Sequence, residues 1–142
     1  MIAQTSIIVG IDPGTHTGVA GYSITTKKLI MCETDSIIGA MKTIEDLIDQ
    51  HGSSLEIWFE DARKRKYFGK SGREKLQGAG SIKRDCVIWE QFCKYHGIRY
   101  SAIPPQHIST KQSKDVFARI TGWTGRTSCH ARDAAMIVYK SR

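Results

Sequence analysis

No apolar stretch in this 142-residue sequence approaches the roughly 18 residues that a membrane-spanning helix needs. The first six residues, Met-Ile-Ala-Gln-Thr-Ser, contain no basic residue and lack the layout of a signal peptide. The sequence also lacks internal repeats, low-complexity tracts and linkers. We therefore expect one domain spanning residues 1–142 that stays in the cytoplasm without membrane contact.

The four cysteines form no CxxC pair, so the sequence lacks the usual spacing of a redox or zinc motif. Cys86 and Cys93 fall with Trp89 on one helical stripe, which favours buried thiols over a disulfide framework. Cys93 and His96 form a CxxH pattern, but no second ligand pair accompanies it. A structural zinc site is therefore not expected.

Acidic residues are almost absent from residues 62–84, where Glu74 stands against nine basic residues. This segment carries +8 and the whole chain +7, so the basic character is local. A local basic patch indicates a polyanionic partner such as nucleic acid, although a solvated, solubilising loop is the alternative. We predict that the basic residues of the segment bind DNA phosphates; they are Arg63, Lys64, Arg65, Lys66, Lys70, Arg73, Lys75, Lys83 and Arg84.

The hydrophobic pattern predicts the element order βββαβαβαα. Residues 61–79 lack periodicity and are predicted to form a long mobile loop, and 78–81 could open a helix that offers backbone N–H groups to a phosphate. Ser36 and Ser128 are predicted helix caps. The predicted strands are residues 6–12, 19–25, 29–33, 55–60 and 98–103, and the predicted helices are 36–51, 82–96, 111–120 and 128–139.

Four possible metal ligands lie at or near the ends of apolar segments. Asp12 and Glu60 end predicted strands, and His130 and Asp133 lie one turn apart at the start of the last helix. Each has a simpler explanation on its own: an Asx turn, a solvated strand end, a polar surface histidine or a favourable helix-terminal charge. Their common placement predicts that they converge at one edge of a sheet.

Converging carboxylates need a compensating charge. Two like charges about 4 Å apart repel by roughly 4 kcal/mol at an effective dielectric constant near 20. Oxygen ligands of this kind suit Mg²⁺, with Mn²⁺ as a substitute. Two such ions about 3.5–4 Å apart promote in-line phosphoryl displacement. The acids beside a basic segment therefore predict metal-dependent phosphodiester chemistry on nucleic acid.

Three segments resemble the RuvC-like Holliday junction resolvases of the RNase H-like superfamily. They are Ile8-Val9-Gly10-Ile11-Asp12-Pro13-Gly14 with Thr17-Gly18-Val19-Ala20, the strand ending in Glu60, and His130-Ala131-Arg132-Asp133-Ala134-Ala135. Their order and spacing cover nearly the whole chain. The chain is shorter than typical cellular relatives, which fits a compact bacteriophage-type member and implies the cytoplasm of a bacterium or of a phage-infected host cell.

The resemblance implies an α/β fold with a mixed five-stranded sheet of order 3-2-1-4-5, strand 2 antiparallel, flanked by helices. It implies a homodimer that nicks two strands of a four-way junction and leaves 5′-phosphate and 3′-hydroxyl ends. Asp12, Glu60 and Asp133 match the metal-binding carboxylates of the family. His130 stands where many relatives have a further Asp and some have His.

Two features leave the assignment open in detail. Asp61 follows Glu60 directly, and strand alternation allows only one of them to face the site; the motif favours Glu60. The resemblance also implies an aromatic wedge at the junction centre, which here would be Tyr67 or Phe68, and DNA-facing lysines, here Lys111 and Lys114. Packing of one aromatic and idle surface lysines are the simpler alternatives.

Other functions share parts of this pattern. The chain could be a relaxed branched-DNA endonuclease, an RNase H-type nuclease or a junction-binding module without catalysis. The Asp-Pro-Gly turn also occurs in actin-like ATPases, but those need two such domains and this chain supplies one. Metal-dependent junction resolution is the function that we predict.

Overall fold

The computed structural model describes residues 4–64 and 73–140, and for residues 73–79 and 140 it describes the backbone alone. Five strands and four helices alternate in the predicted order βββαβαβαα, joined in places by short 3-10 turns. The strands are β1 (Ile7–Asp12), β2 (Thr17–Ser23), β3 (Lys28–Asp35), β4 (Leu55–Glu60) and β5 (Arg99–Ile103). The helices are α1 (Ile37–His51), α2 (Arg73–His96), α3 (Lys114–Thr121) and α4 (Cys129–Lys140).

The strands form one mixed sheet in the order β3-β2-β1-β4-β5. The first three strands form an antiparallel meander, whereas β4 and β5 run parallel to β1. This is the expected sheet order, with β2 antiparallel to its neighbours. The carboxyl ends of β1 and β4 lie side by side in the middle of the sheet, so Asp12 and Glu60 end adjacent strands.

Strand alternation divides the core into two layers. Val9 and Ile57 belong to one cluster with α1 and α2, and Ile8 belongs to a second cluster with α4 and Phe117 of α3. The predicted helical stripe of Cys86, Trp89 and Cys93 is buried in the first cluster, and both cysteines are free thiols. The sheet is therefore covered by helices on both faces.

Helix capping confirms the start of α1 and accounts for the start of α3. The hydroxyl oxygen of Ser36 accepts a hydrogen bond from the Gly39 amide, and that of Ser113 accepts one from the Val116 amide. Because Ser113 caps α3, the helix begins at Lys114, and the prediction that it begins at Lys111 is wrong.

The start of α2 also corrects the sequence prediction. The helix begins at Arg73, so residues 73–79 are helical rather than part of a loop, and residues 78–81 lie inside the helix. Arg, Glu, Lys, Leu and Gln in this stretch are good helix formers and outweigh the cost of two glycines, about 1 kcal/mol each. The predicted phosphate site at a helix start near residue 78 is therefore wrong. In the two described ranges, no helix is long and apolar enough to cross a membrane.

Candidate active site

Asp12 lies at the centre of the candidate site. It is the last residue of β1 and points to the same face as Ile8, toward α4. Its side chain is only 14% exposed, and its Oδ2 lies 3.2 Å from Nδ1 of His130. A largely buried carboxylate in contact with an imidazole is thus formed by residues 118 positions apart in sequence.

Two glycines allow α4 to approach the sheet closely enough for this contact. A Cβ atom on Gly10 would overlap the carbonyl oxygen of Ala134, and one on Gly18 would overlap the carbonyl oxygen of His130. Gly18 pairs with Asp12 across the β1–β2 ladder. The missing side chains therefore place the first turn of α4, with His130, directly over the end of β1.

The adjacent acids Glu60 and Asp61 point to opposite faces of β4. Asp61 is buried, and its Oδ1 and Oδ2 each accept a hydrogen bond of 2.8 Å from the guanidinium of Arg63. Although burial acts to raise it, the bonds from Arg63 lower the pKa of Asp61. Glu60 lies on the α4 side and acts electrostatically on Asp12. Glu60 is therefore the acid of the pair that shares the pocket with Asp12.

The pKa of Asp12 shows that Glu60, Asp133 and His130 lie close enough to act on it electrostatically. Burial and the negative charge of Glu60 raise the pKa of Asp12 to about 7, with Asp133 adding in the same direction. The hydrogen bond and charge of His130 act against this rise. Asp12, Glu60, His130 and Asp133 thus share one pocket, as their positions in the sequence predict.

Asp133 holds the segment that carries Lys111. Its Oδ1 accepts a 2.9 Å hydrogen bond from the Lys111 amide, and Lys111 has a positive φ of 60°. A lysine in this left-handed conformation is uncommon and is kept there by its surroundings. Arg132 contributes by donating from Nε to the carbonyl oxygen of Gln112 at 3.0 Å. The backbone of Lys111 is thereby held against Asp133, and the exposed Lys114 follows three residues further on.

Two further residues belong to the surroundings of the site and were missed by sequence reasoning. The ring of His16, an exposed residue in the β1–β2 turn, stacks near His130 at a centroid distance of 6.0 Å. Arg132 braces the chain on both sides of the site, because it also donates to the carbonyl oxygen of Thr127 at 3.2 Å. The sequence signal that could have identified them is their closeness to predicted ligands: His16 lies four residues after Asp12, and Arg132 directly precedes Asp133.

The predicted DNA-binding residues that the structure describes differ in their surroundings. Arg63 is engaged by acids, and Nζ of Lys64 donates to the carbonyl oxygen of Ala102 at 2.8 Å. Lys83 and Arg84 are exposed on α2. For Arg73 and Lys75 the structure gives only the backbone, within α2. The remaining predictions for this segment fall outside the described residues; they concern Arg65, Lys66, Tyr67, Phe68 and Lys70.

The donor set in the pocket fits a hard divalent cation. Three carboxylates and an imidazole are suitable ligands. The pKa of Asp12 is raised by burial first and by the charges of Glu60 and Asp133 second, and a cation would offset those charges. Within residues 4–64 and 73–140, no three such side chains are already arranged closely enough to hold one ion. Binding through three of them therefore requires their side chains to move inward, and the metal site stays a prediction.

Comparison with known proteins gives a structural match but no sequence match. No protein-family model and no curated protein matches the sequence. Among solved structures, T. thermophilus RuvC in complex with a Holliday junction substrate aligns with a TM-score of 0.60. The two sequences are 16% identical over 94% of this chain and 90% of that chain. This chain therefore has the fold of RuvC, a mixed α/β fold of the RNase H-like type.

Proposed function

We propose that this protein is a metal-dependent endonuclease that resolves four-way DNA junctions. The observation that carries the proposal is geometric: Asp12 ends β1 beside the end of β4, which carries Glu60, and it contacts His130 of α4 at 3.2 Å. Burial, Glu60 and Asp133 together raise the pKa of Asp12. This pocket lies on a fold shared with a protein solved in complex with a Holliday junction. The products would carry 5′-phosphate and 3′-hydroxyl ends, and a homodimer would make the two nicks.

Asp12, Glu60, His130 and Asp133 would hold the cations, two Mg²⁺ per site with Mn²⁺ as a substitute. When bound, the ions supply an activated water and stabilise the leaving oxyanion. Asp12 would be ionised more fully once a cation offsets the charges of Glu60 and Asp133, since those charges help to raise its pKa. The protein's own contribution is to keep mutually repelling carboxylates at the ends of two paired strands.

His130 can handle a proton or a ligand at its outer nitrogen. Its Nδ1 lies 3.2 Å from Asp12, and its side chain is 44% exposed. A neutral imidazole that donates from Nδ1 to a carboxylate leaves Nε2 with a lone pair. That lone pair would either bind a cation or accept a proton from the attacking water.

Lys111 would stabilise the negative charge that develops on the phosphate. Its amide is bonded to Asp133, so its chain position is fixed relative to the acids. A positive group held close to the reacting phosphate in advance stabilises the transition state without reorganisation at the moment of reaction. Lys114, exposed at the start of α3, would contact a neighbouring phosphate.

The test compares substrates and metals in one assay. Labelled four-way junction, linear duplex and RNA–DNA hybrid are incubated with the protein in Mg²⁺ or in EDTA. Paired nicks in the junction alone, with Mg²⁺ alone, support the proposal. Cutting of the hybrid supports an RNase H-type nuclease, cutting of many branched forms supports a relaxed endonuclease, and binding without cutting supports a junction-binding module.

A further inference from the structure

The residues that follow Glu60 form a compact ionic cluster that the proposed chemistry does not use. We call it the Asp61 clamp; it comprises Asp61, Arg63 and Glu90. The Asp61 side chain is only 3% exposed, yet it carries a carboxylate. Arg63 donates three hydrogen bonds to this carboxylate, from its main-chain amide at 3.0 Å and from Nε and Nη2 at 2.8 Å each. The carboxylate is thus bonded at both oxygens by one residue.

The clamp also joins the end of β4 to α2. Nη1 of Arg63 donates to Oε1 of Glu90 at 3.4 Å, and Nη2 donates to Oε2 at 3.3 Å. Arg63 therefore directs its guanidinium at two acids of the protein itself, on the face of the sheet opposite the pocket. A guanidinium engaged in this way is poorly placed to contact a DNA phosphate, which was its predicted role.

We propose that Arg63 is a positioning residue: by holding Asp61 against α2, it fixes the orientation in which Glu60 enters the pocket with Asp12. This inference rests on the function proposed above, and it explains how Glu60, one of the carboxylates of the proposed site, is oriented. Arg63 acts through Asp61 and touches neither the substrate nor the cations.

The link from Asp61 to Glu60 is the strand itself. Neighbouring residues of a strand face opposite sides, so rotation of the chain at residue 61 turns residue 60 with it. The Asp61 amide donates to the carbonyl oxygen of Ile103 at 2.8 Å, and the Cys86 thiol lies 3.6 Å from the carbonyl oxygen of Glu60. Without Arg63, a buried unpaired carboxylate would be driven toward water, and these backbone contacts would be strained or lost.

The experiment compares Arg63→Gln with the double variant Asp61→Asn/Arg63→Gln. In Arg63→Gln, we expect the single-turnover cutting rate to fall on the order of 10²-fold, the loss that a misplacement of about 1 Å can cause. The junction dissociation constant and its salt dependence should stay as in the wild type. In the double variant the buried carboxylate of Asp61 is removed together with its partner, and Glu90, 28% exposed, keeps access to water, so the rate should recover toward that of the wild type.

Arg99→Gln is the matched control, since Arg99 lies at the other end of β5 and donates to the carbonyl oxygen of Ser53. It removes the same charge and should leave cutting unchanged. A salt slope that becomes shallower by about one in Arg63→Gln would identify a phosphate contact and overturn the clamp. A rate that falls only with the folded fraction, or stays low in the double variant, would overturn it as well.

Hydrogen exchange separates the failure of the clamp from the failure of the proposed function. Exchange of the Asp61 amide reports the bond to Ile103 whether or not the protein cuts DNA. We expect faster exchange in Arg63→Gln and recovered protection in the double variant. Equal protection in all three proteins contradicts the clamp, whereas a wild type that cuts no substrate contradicts only the nuclease function.

Discussion

At the scale of single residues, Asp12 determines the electrostatics of the pocket. It is the acid whose burial combines with the charges of two other carboxylates, and burial is the largest cause of its raised pKa. The sequence predicted the four members of the pocket because each ends or begins an apolar element. It could not predict the bond from the Lys111 amide to Asp133, since the left-handed conformation of Lys111 depends on residues far along the chain.

Neutral isosteres of the acids should separate cutting from binding. We expect Asp12→Asn, Glu60→Gln and Asp133→Asn each to reduce junction cutting by about 10²–10³-fold or more, as when one transition-state electrostatic group is removed. Binding of the junction in EDTA should stay close to that of the wild type. Asp49→Asn, on the exposed surface of α1, is the control and should cut normally. Loss of folding in all three variants would refute the assignment.

The raised pKa of Asp12 predicts how stability depends on pH. The folded protein keeps Asp12 protonated up to about pH 7, whereas the unfolded chain releases this proton near 3.8. The folded state therefore binds more protons between these values, and its free energy of unfolding should fall by a few kcal/mol as pH rises through this window. Urea unfolding in EDTA measures the fall, and Asp12→Asn should lack it. The same pH slope in the variant and the wild type would contradict the prediction.

Divalent ions should reverse that loss. A cation that binds only the folded protein stabilises it by about 2.7 kcal/mol at a hundredfold excess over its dissociation constant. We expect Mn²⁺ to raise the melting temperature more at about pH 8 than at about pH 5, because the cation competes with the proton on Asp12. In Asp12→Asn, which has no such proton, the rise caused by Mn²⁺ should not depend on pH in this way. An equal rise at both pH values would argue against binding in this pocket.

At the scale of elements, the close packing of α4 on β1 and β2 builds the site. The sequence predicts both strands and the helix from their apolar periodicity, and Ser128 from its capping position. The distance between α4 and the sheet is set by Gly10 and Gly18, whose role became visible only through the carbonyl groups above them. The early start of α2 was missed for a different reason, because good helix formers extend it through two glycines.

Adding one methyl group at either glycine should separate α4 from the sheet. We expect Gly10→Ala and Gly18→Ala to lower the free energy of unfolding by about 1–3 kcal/mol, the usual cost of overpacking. Cutting should fall further than stability because His130 and Asp133 move away from Asp12. Gly80→Ala is the control: its added Cβ meets nothing within 4 Å inside α2, and the change should be neutral or stabilising. Chemical denaturation with parallel cutting assays measures both effects, and normal cutting by Gly18→Ala would disprove this packing argument.

At the scale of the whole molecule, charge is distributed unevenly along the chain. The sequence identified the basic segment from composition, but it could not show that Arg63 is paired with acids inside the fold. Composition counts charges without their partners, whereas attraction of a polyanion depends on those left exposed to solvent. Lys111 and Lys114 are exposed on the side of the sheet that carries the pocket.

The salt dependence of junction binding should report these exposed charges. The slope of log affinity against log salt changes by roughly 0.9 for each phosphate contact with duplex DNA. Lys111→Gln with Lys114→Gln should therefore make the slope shallower by about 1.8. Lys42→Gln, exposed on α1 across the sheet, should leave it unchanged. Titrations at several salt concentrations decide the point, and an unaltered slope in the double variant removes both lysines from the interface.

The opposite orientations of Glu60 and Asp61 have a consequence for the evolution of related sequences. If Arg63 exists to neutralise Asp61, the two should be gained and lost together across homologues, while the acid at position 60 persists in either background. Lineages that carry a small neutral residue at position 61 would be free to vary position 63. The pattern of joint substitution at these two positions would thus record which of the adjacent acids selection maintains for chemistry and which it maintains for architecture.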